Sequence, residues 1–254
     1  MTEFSDDELD RYARHLVLPD IGGRGQVALK RARVAVIGAG GLGSPCLLYL
    51  AAAGVGQISI IDDDAVAISN LQRQILFTSI DAGRAKTAVA VERLGALNPH
   101  VVVTPVALRL DAGNAHGLLV GHDVIVDGCD SFATRLAVAD AAQALGVPLV
   151  SGAVGPFDGQ VATFKGYRPG LPCYRCLVGN AHDRDARSCA EAGVLGALTG
   201  VIGSLMALEV LRELAGFGNS LAGRLLLYDA LGARMRTVRL AKDPGCPGCG
   251  GVSL

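Results

Sequence analysis

Residues 33–43 read Arg33-Val34-Ala35-Val36-Ile37-Gly38-Ala39-Gly40-Gly41-Leu42-Gly43. The apolar run Arg33–Ile37, closed by glycines, predicts a strand buried on both faces. Gly38 to Gly43 then spell G-x-G-x-x-G between that strand and a predicted helix, Leu42–Ala53. Glycines there let backbone approach a phosphate, and the helix start offers free N–H groups and partial positive charge. A second strand, Gln57–Asp62, ends in an acid 19 residues past Gly43. A carboxylate at that point can accept both hydroxyls of a ribose. Taken alone, this pattern fits NAD, another nucleotide, or a turn kept for packing.

Working outward, strands and helices alternate. A helix over Arg84–Leu97 stops before Asn98-Pro99, a strong breaker. Strands follow at Val101–Val106, Asp123–Asp127 and Pro148–Ser151, with a helix over Phe132–Leu145 between the last two. This order predicts an α/β, Rossmann-like doubly wound sheet with helices on both faces. The second half is less regular. Gly159–Lys165, Arg224–Tyr228 and Met235–Leu240 read as strands, the last two as an antiparallel edge hairpin. Two amphipathic helices, Ser5–Leu16 and Gly25–Ala32, precede the first strand, and Ser5 with Glu8 fits a capping box. The expected organisation is a single domain over 1–254. Residues 1–32 are its N-terminal helices, 33–151 a nucleotide-binding half, and 152–254 a half for binding a partner and a metal.

Composition narrows the function. With 23 basic and 24 acidic residues in 254, net charge is −1. That excludes a broad electrostatic footprint for nucleic acid or an anionic membrane. The first ten residues are acidic and polar, the reverse of a secretion signal, so a cytoplasmic location is expected. Ala192–Leu208 is 17 residues long with four glycines, shorter than the roughly 20 apolar residues of a membrane span. It predicts a buried helix.

Beyond the glycine turn the sequence gathers more cations than a dinucleotide needs. Ser69-Asn70-Leu71-Gln72-Arg73-Gln74 follows soon after Asp62, and Lys86 lies on the next helix. Arg and Lys beyond the turn suggest a triphosphate, whose outer groups need cations in a dry pocket. Asp130 follows the fourth strand at the carboxyl edge of the sheet, where a carboxylate can hold Mg²⁺ beside phosphates. Singly, Arg73 and Lys86 also fit a solvated helix face, and Asp130 a helix N-cap before Ser131.

Seven cysteines in a chain without an export signal point to metal binding or chemistry rather than disulfides. Cys173-Tyr174-Arg175-Cys176 and Cys246-Pro247-Gly248-Cys249 are two C-x-x-C pairs, able to close a tetrahedral Zn²⁺ site with no open position. Such a site is structural, clipping distant parts of the chain together; independent redox pairs or buried cysteines are the bland alternative. Cys46 reads as core and Cys129 as pocket wall. Cys189 closes a polar segment, Asn180–Ser188, and precedes Ala190-Glu191-Ala192-Gly193. A thiol there fits a nucleophile with lowered pKa or simply a helix-entry position. None of His15, His100, His116, His122 and His182 falls in a pocket-forming motif.

The set formed by Gly38–Gly43, Asp62, Ser69–Gln74, Lys86, Asp130, both cysteine pairs and Cys189–Gly193 resembles the MoeB/ThiF/HesA adenylyltransferases, bacterial relatives of ubiquitin-activating enzymes. The match runs from Arg11-Tyr12-Ala13-Arg14 to Cys249. The resemblance implies an enzyme that uses MgATP to adenylate the C-terminal Gly-Gly carboxylate of a ubiquitin-like sulfur carrier, releasing pyrophosphate. It implies that Gly38, Gly40, Gly41, Leu42 and Gly43 contact the nucleotide and that Asp62 takes the ribose. Asn70, Arg73, Gln74 and Lys86 address the phosphates, and Asp130 holds Mg²⁺. Arg14 corresponds to an arginine that reaches the phosphates from the other subunit of a homodimer. Cys189 matches a reactive cysteine that in some members joins the carrier covalently. Arg14–Pro19 and Cys189–Gly203 look closer to the molybdopterin-synthase branch, in molybdenum cofactor biosynthesis; Asp62–Asp64 and Gln74–Thr78 look as much like the thiamine-thiazole branch. The chain ends five residues after Cys249, so the rhodanese domain of some relatives is not expected. The rival from another class is an NAD(P)-dependent oxidoreductase.

Overall fold

A computed structural model describes residues 3–179 and 193–250. Three helices lead in: α1 (Asp6–Arg11), α2 (Ala13–Leu16) and α3 (Gly22–Arg31). The predicted capping box closes as expected, with Ser5 Oγ accepting from Glu8 N and Glu8 reaching back to Ser5 N. The single helix expected over Ser5–Leu16, however, breaks at Tyr12. Tertiary anchoring overrides local propensity here. The Tyr12 ring is 3% exposed, its hydroxyl accepts from Asn98 Nδ2 at 2.8 Å, and it fills space that any Cβ on Gly54 would occupy.

The chain then alternates through β1 (Arg33–Ile37), α4 (Gly43–Ala52), β2 (Gln57–Ile61), α5 (Lys86–Leu97), β3 (Val102–Val106), α6 (Ala115–Leu119), β4 (Val124–Asp127), α7 (Phe132–Leu145) and β5 (Leu149–Val154). Next come β6 (Asp158–Phe164), α8 (Tyr174–Val178), α9 (Gly196–Ala215), β7 (Arg224–Asp229) and β8 (Arg234–Arg239). They build one eight-stranded sheet in the order β3-β2-β1-β4-β5-β6-β7-β8. Pairing is parallel from β3 to β5 and antiparallel from β5 to β8. This is the mixed sheet the sequence predicts, including the β7–β8 hairpin. The short helices α6 and α8 carry too few residues to show a period and were not expected.

The central strands of the sheet are buried on both faces, which explains why β1 reads as continuous apolar sequence rather than as alternation, whereas the edge strand β8 is exposed throughout. Val34 and Val36 face one core with Leu47, Leu50, Val89 and Ile202. Ala35 and Ile37 face the other with Leu119, Ile125 and Val138. Helix α9 sets Leu198, Ile202, Met206 and Val210 at four-residue spacing against the first core and ends at Gly216, left-handed at φ 72. Of the glycine-containing stretch read as a buried helix, residues 196–208 lie in α9 and residues 193–195 precede it. No helix among the described residues is long and apolar enough to cross a membrane.

Helices α4 and α9 approach too closely for a side chain at their crossing. A Cβ on Gly203 would lie 2.3 Å from Leu42 O and 2.5 Å from Pro45 Cγ. Gly203→Ala is therefore expected to destabilise the protein by about 1–3 kcal/mol, as overpacking does, read as a lower urea midpoint. An unchanged midpoint would contradict this packing.

Candidate active site

Strand order reverses between β1 and β4, and at the carboxyl ends of these strands lies a cavity of about 450 Å³. This is where doubly wound sheets bind ligands. Gly38, Gly40, Gly41 and Leu42 form one wall, Gly128 to Ser131 the opposite one. The glycine turn folds tightly on itself: a Cβ on Gly43 would sit 1.9 Å from Gly38 O, and Gly38 itself adopts φ +86. Gly41 packs against Thr199 of α9. The motif therefore has a packing reason and also leaves backbone facing the cavity.

Asp62 ties the turn to the end of β2. Its Oδ2 accepts from Ala39 N at 2.7 Å and its Oδ1 from Asp64 N at 2.9 Å. Burial pushes its carboxyl above the usual value, against the pull of Lys86 and the two amides. Each oxygen keeps a second lone pair, so two ribose hydroxyls can still be accepted. Lys86 begins α5 and is 3% exposed, and its Nζ donates to Asp64 Oδ2 at 2.7 Å. Arg73 Nη2 donates to Asn70 Oδ1 at 2.7 Å, which holds the guanidinium along the cavity wall. Gln74 is buried, and its Oε1 has no hydrogen-bond partner among the described residues.

Asp130 is exposed at the mouth of the cavity. It does not cap α7: Ser131 does, accepting from Thr134 N. Four basic side chains (Arg73, Lys86, Arg109, Arg135) and four acidic ones (Asp62, Asp63, Asp64, Asp130) line the space. A balanced set of this kind suits a polyphosphate that arrives with a divalent cation better than a bare anion. Arg14 does not line the cavity; it is exposed on α2. Cys46 is core, its thiol pushed up to about 12 by burial. Cys129 lines the cavity, but burial and Asp127 hold it as a neutral thiol. Cys189 and the segment Asn180–Ser188 lie outside the described residues.

Sequence reasoning missed Asp127, Arg135, Arg109, Tyr174 and Thr199. Asp127 reads in the sequence only as a strand end, and its separation of eight positions from Arg135 hides their pairing across a strand and a helix.

The two C-x-x-C pairs do converge. Sulfur separations are 4.0 Å for Cys173–Cys176, 3.6 Å for Cys173–Cys246 and 3.4 Å for Cys176–Cys249. Tetrahedral coordination at a Zn–S length of about 2.3 Å calls for sulfurs roughly 3.8 Å apart. The four thiols therefore fit a closed thiolate site, and Cys173, Cys246 and Cys249 are buried.

Residues 12–248 match the ThiF family. The chain is 52% identical over 250 residues to a sulfur carrier protein adenylyltransferase of Thermus thermophilus, covering 96% of this chain and 92% of that one. It is 43% identical to the molybdopterin-synthase adenylyltransferase of Salmonella typhimurium, covering 98% of this chain and all of that one. Among solved structures, the microcin C7 biosynthetic enzyme MccB in complex with N-formylated MccA superposes with a TM-score of 0.85 at 22% identity, covering 96% of this chain and 76% of that one. At that identity the likeness concerns the fold alone.

The segment between β2 and α5, which carries Asn70, Arg73 and Gln74, is pinned by Asp81. This buried carboxylate accepts from Thr78 Oγ1 at 2.7 Å, Thr78 N at 2.8 Å and Arg93 Nη2 at 3.0 Å. The Thr78 hydroxyl and amide, with Arg93, hold its carboxyl down to about 2 from 3.8. A depressed folded-state value means the anchor contributes stability above the unfolded value and loses it as pH falls from 3.8 towards 2. Asp81→Asn is expected to be less stable than wild type at pH 7, with the gap closing across that acid window in urea titrations. A gap independent of pH would contradict the assignment.

Proposed function

The chain belongs to the ThiF family, and we propose that it adenylates the C-terminal Gly-Gly carboxylate of a ubiquitin-like sulfur carrier with MgATP, the molybdopterin-synthase small subunit foremost. Supporting this reading is the convergence of Lys86, Arg73 and Gln74 on a glycine turn at the β1–β4 switch point. The whole chain is assigned to one adenylyltransferase unit.

A carboxylate oxygen of the carrier attacks the α-phosphorus, the bond to the β-phosphate oxygen breaks, and pyrophosphate leaves. Negative charge builds on the phosphoryl oxygens, so stabilising cations supply most of the catalysis. The nucleophile is already ionised and no general base is required, consistent with a cavity lined by no histidine among the described residues. Gly38, Gly40, Gly41, Leu42 and Gly43 hold the nucleotide, Asp62 its ribose, and Asn70, Arg73, Gln74 and Lys86 its phosphates. Asp130, one carboxylate at the mouth, suits Mg²⁺, which binds through one or two carboxylates plus phosphates and water. Arg14 lies off its own cavity, and the proposal has it serve a second subunit of a homodimer. Cys189 is assigned to a later covalent step with the carrier and not to adenylation. Bound to the four thiolates, zinc would clip residues 173–176 to 246–249 and take no part in the reaction.

The test is ATP–pyrophosphate exchange with a panel of Gly-Gly-tailed carriers, molybdopterin and thiamine-thiazole types included. Exchange dependent on a carrier is expected, and the carrier giving the highest rate assigns the pathway. Arg73→Ala or Asp130→Ala should lower the rate about 100- to 1000-fold while the dimer persists on a sizing column. No exchange with any carrier, together with tight NAD binding, would overturn the proposal in favour of an oxidoreductase. Metal analysis of protein prepared without chelator should find about one zinc per chain, falling in Cys246→Ser; protein free of zinc would remove the structural-metal assignment.

A further inference from the structure

Beneath the cavity lies a polar cluster with no part in the roles given above. Asp127 ends β4 at 1% exposure. A carboxylate this deep is stable only with partners, and those of Asp127 come from three places. Oδ2 accepts from Ser151 Oγ on β5 at 2.8 Å and pairs with Arg135 Nη1 on α7 at 3.1 Å. Oδ1 accepts from the Cys129 amide at 3.2 Å and from the Cys129 thiol at 2.8 Å. Arg135 donates through Nη2 to the Cys129 carbonyl. Cys129 is thus gripped at both ends, its N–H by the carboxylate and its C=O by the guanidinium. That carbonyl belongs to the peptide unit whose nitrogen is Asp130's.

The same loop rests on the glycine turn. A Cβ on Gly38 would lie 3.2 Å from Gly128 O and 3.3 Å from Cys129 N and Cα, and Gly128 N donates to Ile37 O at 3.0 Å. Tyr174, set between Cys173 and Cys176, lines the same cavity, within electrostatic range of Arg135. The glycine turn therefore rests on the same Gly128–Cys129 backbone whose carbonyl the Arg135 guanidinium holds, with the cysteine knuckle beside it.

We propose that Asp127 and Arg135 form a positioning pair that locks the Cys129–Asp130 peptide against the glycine turn and so sets where the Asp130 carboxylate meets metal and phosphate. The catalytic half of this rests on the adenylation reading; the clamp itself stands on geometry. Arg135 acts through Asp130. Its planar fork serves two acceptors at once, Asp127 and the Cys129 carbonyl, which a lysine ammonium on a flexible stem does not reproduce.

Arg135→Lys keeps the charge opposite Asp127 and loses the fork, and is the discriminating variant. Hydrogen exchange on nucleotide-free protein should show the amides of residues 128–131 opening about tenfold faster while β1 and α4 are unchanged. In carrier-dependent pyrophosphate exchange, kcat should fall about 100-fold with a raised half-saturating Mg²⁺ concentration and KM for ATP within about twofold. Should Arg135→Lys not fold, Ser151→Ala keeps the ion pair, and smaller shifts of the same sign are expected. A folded Arg135→Lys with wild-type exchange at 128–131 overturns the clamp. Loosened amides with wild-type kcat and Mg²⁺ dependence overturn its role in the reaction. If wild-type protein shows no pyrophosphate exchange, the adenylation reading falls and the amide measurement alone decides the clamp.

Discussion

A lysine ammonium buried at the start of a helix is the constraint on which the site depends. Lys86 is the first residue of α5, where the helix dipole disfavours a cation, and no acid in its first turn offsets it. Its side chain is nearly excluded from water, and its ion-pair partner, Asp64, is 66% exposed at its side chain. Local preference would place Asp or Glu here and Lys at the other end. A residue that breaks its local rule at the rim of a cavity is expected where function sets the sequence. An anionic group entering the cavity would take over from Asp64 as the partner of this ammonium.

The rest of the fold brings further groups to the same point. Two strands buried on both faces run side by side, and their carboxyl ends release the glycine turn and the Asp130 loop on either side of one crevice. Close packing holds the turn, with Gly43 against Gly38 and Gly41 against Thr199 of α9. Asp81 anchors the segment carrying Asn70, Arg73 and Gln74, and Asp127 with Arg135 holds the loop carrying Asp130. Two of the ligand-facing segments are thus backed by buried carboxylates, Asp81 and Asp127. The cysteine knuckle joins this arrangement through Tyr174.

Most of this was legible in the sequence because it is local. Strand β1, the helix after it and helix α7 follow from apolar periodicity and breakers over a dozen residues, and the cysteine pairs announce themselves by spacing. What escaped depends on contacts between distant segments. The break at Tyr12 comes from an asparagine 86 positions away, and nothing near Tyr12 signals it. Arg135 reads as one more polar residue on an amphipathic helix; only the parallel alignment of β4 with β5 and α7 makes it the partner of Asp127 and Ser151. Asp130 also reads in the sequence as a helix cap, and the fold gives that cap to Ser131. Arg14 is exposed on α2 and lies off its own cavity, so no contact within the described chain gives it a role.

The central claim is that the cations around the glycine turn are there for a triphosphate. The most direct measurement is a crystal structure of the protein with a non-hydrolysable ATP analogue and Mg²⁺. The account expects the phosphates over Gly38–Gly43, with Lys86 Nζ moved from Asp64 to about 2.8 Å from a phosphate oxygen and Arg73 beside it. An analogue seated elsewhere, with Lys86 still on Asp64 and Arg73 turned to bulk solvent, would contradict it.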